Sequence, residues 1–132
     1  MEKTVFIIRG LPGSGKSDLA WMLWKTMGAT ICSADYYFYD GDEYDFDATR
    51  LGDAHAKCKE DFMHAINNGE EVIVVDNANT QYKEFEWYDL NAVHHGYLIR
   101  HIIVENRHGG VSPHDVPYST IQKMRNRFEV IL

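Results

Sequence analysis

The sequence predicts an α/β fold, a three-layer sandwich of helices around a mostly parallel sheet. Three features carry that expectation. Strand-like runs at Thr4–Ile8, Ala29–Cys32, Glu71–Asp76 and Tyr97–Val104 alternate with longer stretches of helical period, the order that builds parallel strands joined by crossover helices. The strand-like runs are mostly continuous in apolar residues rather than alternating, as strands covered on both faces are. A glycine-rich octet lies between the first strand and the first helix, at the carboxyl edge of the sheet where such folds bind ligands.

The first strand, Thr4-Val5-Phe6-Ile7-Ile8, runs into Gly10-Leu11-Pro12-Gly13-Ser14-Gly15-Lys16-Ser17. This octet fits G-x-x-x-x-G-K-[ST] at every fixed position. Its glycines let backbone N–H groups turn inward around an anion. Lys16 would reach the β- and γ-phosphates of a nucleoside triphosphate, and Ser17 would offer its hydroxyl to Mg²⁺. From Asp18 to Lys25 the pattern suits a helix whose N-terminus faces the same phosphates. Residues Gly10 through Asp18 are therefore the expected nucleotide contacts.

Met27-Gly28 stops that helix, with the glycine free to take the left-handed conformation. Ala29–Cys32 is the second strand, and Ser33 to Tyr39 follow at its carboxyl end. Asp40 to Asp47 reads as a polar connection with five carboxylates and no basic residue. From about Asp47 to Asn68 the period turns helical, with Leu51, His55, Cys58, Phe62 and Ile66 near 3.6-residue spacing. Glu71–Asp76 is the clearest buried strand. Gln81 to His95 reads as a helix with Phe85, Tyr88, Leu90 and Val93 on its inner face. Tyr97–Val104 is the fourth strand. Pro113 and Pro117 bracket a loop, and Pro117 suits the first turn of a helix running to about Val130.

Bulk properties bound the function. A length of 132 residues fits one domain, with 45% apolar and 25% charged residues as in soluble globular proteins. No run of 18 apolar residues is present, so no membrane span is expected. Met1-Glu2-Lys3 runs straight into the first strand, leaving no room for a secretory signal. Cys32 and Cys58 form no C-x-x-C pattern, and a reducing cytoplasm is the expected compartment. The net charge of −7 argues against broad, nonspecific nucleic-acid binding. Its distribution is uneven: residues 1–96 carry −9, whereas residues 97–132 carry +2, where a lid over phosphates would use it.

The carboxyl ends of the strands bring together the phosphate loop, Ser33–Asp35 and Asp76–Thr80. Phosphate loops serve GTPases, motors and small-substrate kinases. The chain has no N-K-x-D segment, and Asp76 is followed by Asn77 rather than Glu. Those absences leave a phosphotransferase as the favoured class. Such an enzyme needs a carboxylate beside the acceptor hydroxyl. Asp35 is placed for it; the competing reading is a helix cap at Ser33 or Asp35. Asp76 would hold the hydration shell of Mg²⁺, contact the acceptor, or brace the phosphate loop. A cation is also needed over the transferring group. Arg107 lies in a glycine-bearing segment, Glu105 to Gly110, expected to close as a lid near residues 105–117. Arg125 and Arg127 are the alternatives. Tyr36, Tyr37, Phe38 and Tyr39 offer either a base-stacking surface or a partly buried aromatic cluster.

With these residues assembled, the chain resembles small P-loop kinases, among them bacteriophage-type polynucleotide 5′-kinases and related kinase-like domains of eukaryotic proteins. The marks begin with Arg9 through Ser17, then Ser33-Ala34-Asp35-Tyr36-Tyr37-Phe38 and Ala54-His55-Ala56-Lys57-Cys58. They continue with Val74-Val75-Asp76-Asn77-Ala78-Asn79-Thr80, then His114-Asp115-Val116-Pro117 leading to Met124 through Glu129. The resemblance implies the P-loop nucleoside triphosphate hydrolase/kinase fold over residues 1–132. It also implies transfer from ATP, with Mg²⁺, to a hydroxyl acceptor, foremost the 5′-hydroxyl of a polynucleotide or nucleotide-like substrate. The aspartate matching Asp35 acts there as general base, and an arginine before the Val-Pro segment clamps phosphate; Arg107 is the arginine in that interval. The phage enzymes carry an arginine soon after the base, where this chain has Phe38. The acidic connection would also repel a phosphodiester backbone. A nucleotide-binding module acting through a protein partner, and a small-metabolite or nucleotide kinase, are the other readings.

Overall fold

Strand β1 (Thr4–Arg9) is the inner strand around which a computed structural model of the chain is built; the structure describes residues 2–111 and 114–130. It pairs in parallel with β5 (Val72–Asp76) on one side and β6 (Leu98–Ile103) on the other. The short β2 (Thr30–Cys32) adds beside β5, giving the all-parallel order β2-β5-β1-β6. Pleating divides the side chains between two cores. Val5, Ile7, Ile73 and Val75 pack under α2 (Leu51–Asn67) and α3 (Tyr82–His94), against Cys58, Phe62, Phe85 and Tyr88. Ile8, Val72 and Val74 pack on the opposite face under Ala20 and Leu23 of α1 (Lys16–Met27). The three expected layers are present because every residue of β5 is buried and each face needs its own cover.

Helix α1 is flanked by the cap residues Gly15 and Gly28, both in left-handed conformation, and the Gly28 N–H returns to the carbonyls of Leu23 and Trp24. Helix α4 (Tyr118–Arg127) follows Pro117 as expected but stops earlier than the sequence suggests. Phe128 turns extended, and the Glu129 amide donates to the Thr80 carbonyl at 2.7 Å. What captures this tail is Arg9, only 2% exposed. Its guanidinium donates to the carbonyls of Asn79, Thr80 and Glu129 and sits between the rings of Phe85 and Phe128, 4.6 and 4.8 Å from their centroids. Burial lowers the Arg9 pKa, and the charges of Glu129, Glu84 and Asp89 oppose that shift.

Two sequence expectations are corrected. The acidic connection contains a small antiparallel hairpin, β3 (Tyr39–Asp40) with β4 (Glu43–Tyr44), turning at Gly41 with φ 62°. Aromatic contacts close it: Tyr39 meets Tyr44 at 5.1 Å and buried Phe38 meets Phe46 at 5.0 Å, while Asp40, Asp42 and Glu43 stay in solvent. On α3 the inner face is Phe85, Tyr88 and Ala92; Leu90 and Val93 are exposed. Leu90 lies five residues after Phe85, about 140° around the helix, so the two cannot share a face. Cys32 and Cys58 are buried free thiols, each pushed up in pKa mainly by burial. Among the described residues no helix is long and apolar enough to cross a membrane. The expected loop residue Pro113 lies outside the described residues.

Candidate active site

Because β1 and β5 pair with Ile8 opposite Asp76, the loop leaving β1 faces the carboxyl end of β5. Gly13 and Gly15 take φ 83° and 99°, values that side-chain-bearing residues rarely adopt. A Cβ on Gly10 would stand 2.5 Å from Ser14 Oγ and 3.0 Å from the Val104 carbonyl. The loop closes on itself through Ser14 N donating to the Leu11 carbonyl at 3.0 Å. No side chain caps α1 at Gly15, so its first amides and the positive end of its dipole face the loop. Pro12, Gly13, Gly15, Lys16, Ser17 and Asp18 all line one cavity of about 940 Å³.

Ser17 Oγ donates to Asp76 Oδ2 at 3.1 Å. Asp76 is 4% exposed, and its Oδ1 is buried without a partner among the described residues. Burial raises its pKa, while Lys16 and the Ser17 hydrogen bond pull the other way. A serine hydroxyl beside an orphaned carboxylate oxygen is an oxygen donor set suited to a hard divalent cation.

Asp35 enters the same cavity from the turn after β2. Ser33 takes the capping role, its Oγ accepting from the Asp35 amide at 3.3 Å. Asn77 pins the turn by accepting from the Ala34 amide at 2.9 Å. The Asp35 carboxylate is thereby turned to the cleft, where Tyr44 OH donates to Oδ1 at 3.3 Å and His114 Nδ1 lies 3.8 Å from Oδ2. The His114 ring stacks on Tyr44, with centroids 3.8 Å apart. Burial, then the Asp35 charge, push the Tyr44 pKa up, so its hydroxyl stays a donor at neutral pH.

The three candidate arginines are placed differently. Arg107 is exposed, pairs with Glu105 at 2.8 Å, and does not line the cleft. Arg125 is exposed and donates to Gln122 at 3.3 Å. Arg127 does line the cleft: its Nε donates to Thr80 Oγ1 at 2.9 Å and lies 3.7 Å from Glu84 Oε2. The glycine-bearing segment contributes His108 instead. The Gly110 amide donates to His108 Nδ1 at 3.0 Å, so Nε2 carries the proton and donates to the Ser14 carbonyl at 3.1 Å. Sequence reasoning also missed the contacts of His114 and Tyr44 with Asp35 and the placement of Lys59 and Lys83. The one available signal was the spacing of Leu51, His55 and Lys59, which all line the cleft from α2.

Comparison with known proteins bears on the family and the fold. The model of a family described as AAA domain matches residues 5–109. NEDD4-binding protein 2 of Homo sapiens is 39% identical over 98 residues, 70% of this chain and 5% of that protein. The chain thus spans about a twentieth of that relative's length. Kti12 of Chaetomium thermophilum, solved in complex with ADP-AlF3, aligns with a TM-score of 0.66 at 16% identity, covering 96% of this chain and 80% of that one. The APS kinase of Mycobacterium tuberculosis aligns with a TM-score of 0.57 at 13% identity, covering 96% of both chains. At such identities the likeness to the solved structures is one of fold. The family match, spanning β1 through the segment after β6, is what makes this chain a member of the AAA domain family.

Proposed function

We propose that the chain is an ATP-dependent kinase that moves the γ-phosphoryl group to a hydroxyl acceptor, foremost the 5′-hydroxyl of a polynucleotide or nucleotide-like substrate. The observation that carries this reading is Asp35, a carboxylate released from helix capping by Ser33 and facing the cavity that holds Lys16. The loop amides from Gly10 to Asp18 would cradle the triphosphate, with Lys16 on its β- and γ-oxygens. Ser17 and Asp76 fit Mg²⁺, which when bound neutralises charge developing on those oxygens. Asp35 would accept the acceptor's proton as the new O–P bond forms and the bond from γ-phosphorus to the β-phosphate oxygen breaks, releasing ADP. Arg127, already in the cleft, is the first choice for the phosphate clamp. Arg107 would take that role only by swinging its segment inward.

The buried Phe38 and the exposed carboxylates of the hairpin favour a short acceptor over a long polyanion, and they also support the reading of a nucleotide-binding module with a protein partner. Labelled ATP incubated with 5′-hydroxyl oligonucleotides, nucleotides, nucleosides and sugar alcohols separates these. Labelled product from the nucleotide-like acceptors is expected. Tight ATP binding with no labelled product from any of them would leave the module.

A further inference from the structure

Two tryptophans of α1 stand in solvent. Trp21 and Trp24 are 62% and 51% exposed, and their rings meet edge to face with centroids 5.3 Å apart. With Tyr36, also half exposed, and residues 28–31 they line a second cavity of about 480 Å³. It shares no lining residue with the nucleotide cavity. Single apolar side chains at a surface need no explanation, but large aromatics gathered around a hollow mark an interaction site. One wall of the hollow is β2, the outermost strand of the sheet on that side. Among the described residues its outer edge meets no other strand, and no loop backbone hydrogen-bonds to it. An open strand edge beside a side-chain pocket is where an extended chain adds to a sheet.

Charge selects the kind of chain. From Ser17 to Asp47, the stretch that runs from α1 through the groove into the hairpin, there are seven acidic residues and one base, Lys25. Asp18 precedes Trp21 by three residues, about one turn along the helix. Burial and then the Asp76 charge push the Tyr36 phenol up to about 12, so that end of the groove lies in a negative field. Asp40, Asp42 and Glu43 of the hairpin are exposed. Asp40 follows Tyr36 by four residues, at most about 14 Å of chain. An arginine fits such a hollow, because its planar guanidinium stacks on indole faces while the surrounding carboxylates favour its charge.

We propose that this groove docks an extended, basic segment of a partner protein. Its backbone pairs with the open edge of β2, an arginine sits on Trp21 and Trp24, and neighbouring bases reach the hairpin carboxylates. Because the groove lies outside the nucleotide cavity, docking there is independent of the kinase reading.

The probe is a random decapeptide library, selected on the immobilised full chain at physiological salt, with the enriched peptides then synthesised. Sequences of net positive charge with a recurrent arginine are expected. Their affinity, read by fluorescence anisotropy, should fall at least about tenfold for the double variant Trp21→Ala/Trp24→Ala. It should fall about threefold for Asp40→Asn/Asp42→Asn/Glu43→Gln. ATP affinity and thermal unfolding should stay native in both variants, since the replaced side chains are solvated. N-methylation of alternate peptide amides should weaken binding about tenfold in one register and little in the other, because only one set of donors faces β2. Equal tolerance of both registers would rule out strand pairing. Enriched peptides that are acidic or uncharged, or whose affinity survives loss of both tryptophans, overturn the proposal, as does a library that yields no saturable binder. Oligo(dT) of equal length that binds more tightly than the peptides, and only with both tryptophans present, overturns it in favour of a single-strand site.

Discussion

Asp76 accepts a hydrogen bond from Ser17 through one carboxylate oxygen and keeps the other buried without a partner among the described residues. A charged group held this way costs stability, because burial raises its pKa. The folded pKa stands above the unfolded one, so the Asp76 contribution favours the folded state at low pH and is lost as pH rises through the folded value.

Asp76→Asn therefore has two expected outcomes. The variant melts higher than the native protein at pH 7, and the gain shrinks toward pH 3, read by thermal unfolding across pH. Its Mg²⁺-dependent ATP affinity falls about ten- to hundredfold, while binding in EDTA is little changed. Equal losses with and without Mg²⁺ would remove the metal role.

Asp35→Ala is expected to keep ATP affinity and to cut phosphoryl transfer by about 10²- to 10⁴-fold. Tyr44→Phe keeps the ring on His114 and Phe38 but deletes the donor to Asp35. It should lower the transfer rate about tenfold. Single-turnover assays beside equilibrium ATP titrations distinguish these effects, and full transfer by Asp35→Ala would take Asp35 out of the base role.

The arginines rank by position. Arg127→Ala should reduce transfer at least about a hundredfold, since Arg127 lines the cleft beside Thr80 and Glu84. Arg107→Ala should change it by less than about threefold, because this side chain is solvated and tied to Glu105. Steady-state rates of both variants give the order, and the opposite order would move the clamp to the segment after β6.

Gly10→Ala tests the cradle. Its new Cβ meets both Ser14 Oγ and the backbone carbonyl of Val104, so the loop must shift. A loss of about 1–3 kcal/mol in chemical denaturation, with weaker ATP binding, is expected. Native affinity in this variant would show that the loop tolerates the displacement.

The phosphate loop and the four main strands were legible because their signals are local: an octet with fixed spacing, and runs such as Val72–Asp76 that are buried end to end. Other features depend on partners far away in the chain. His114 reaches Asp35 from 79 residues away, and no pattern around either residue announces the other. The hairpin strands are only two residues long, too short to show alternation, and the surrounding carboxylates concealed the aromatic contacts that close it. Leu90 and Val93 are apolar yet exposed, because helix phase turns both away from the face of Phe85, Tyr88 and Ala92. In sequence Arg107 ranks ahead of Arg125 and Arg127, because it follows the fourth strand in a glycine-bearing segment; only the long-range contact with Thr80 brings Arg127 to the cleft.

Arg9 is the residue immediately before the nucleotide loop, and one of its three carbonyl acceptors belongs to Glu129. The segment at Phe128 and Glu129 is thereby tied to the end of β1 that feeds the loop. Shortening the chain ahead of Phe128 would strip the guanidinium of a ring and an acceptor at once, letting water in behind Gly10. Residues 127–129 are thus held to the strand ends by the Arg9 guanidinium, by the Glu129 amide on the Thr80 carbonyl and by Arg127 on the Thr80 hydroxyl.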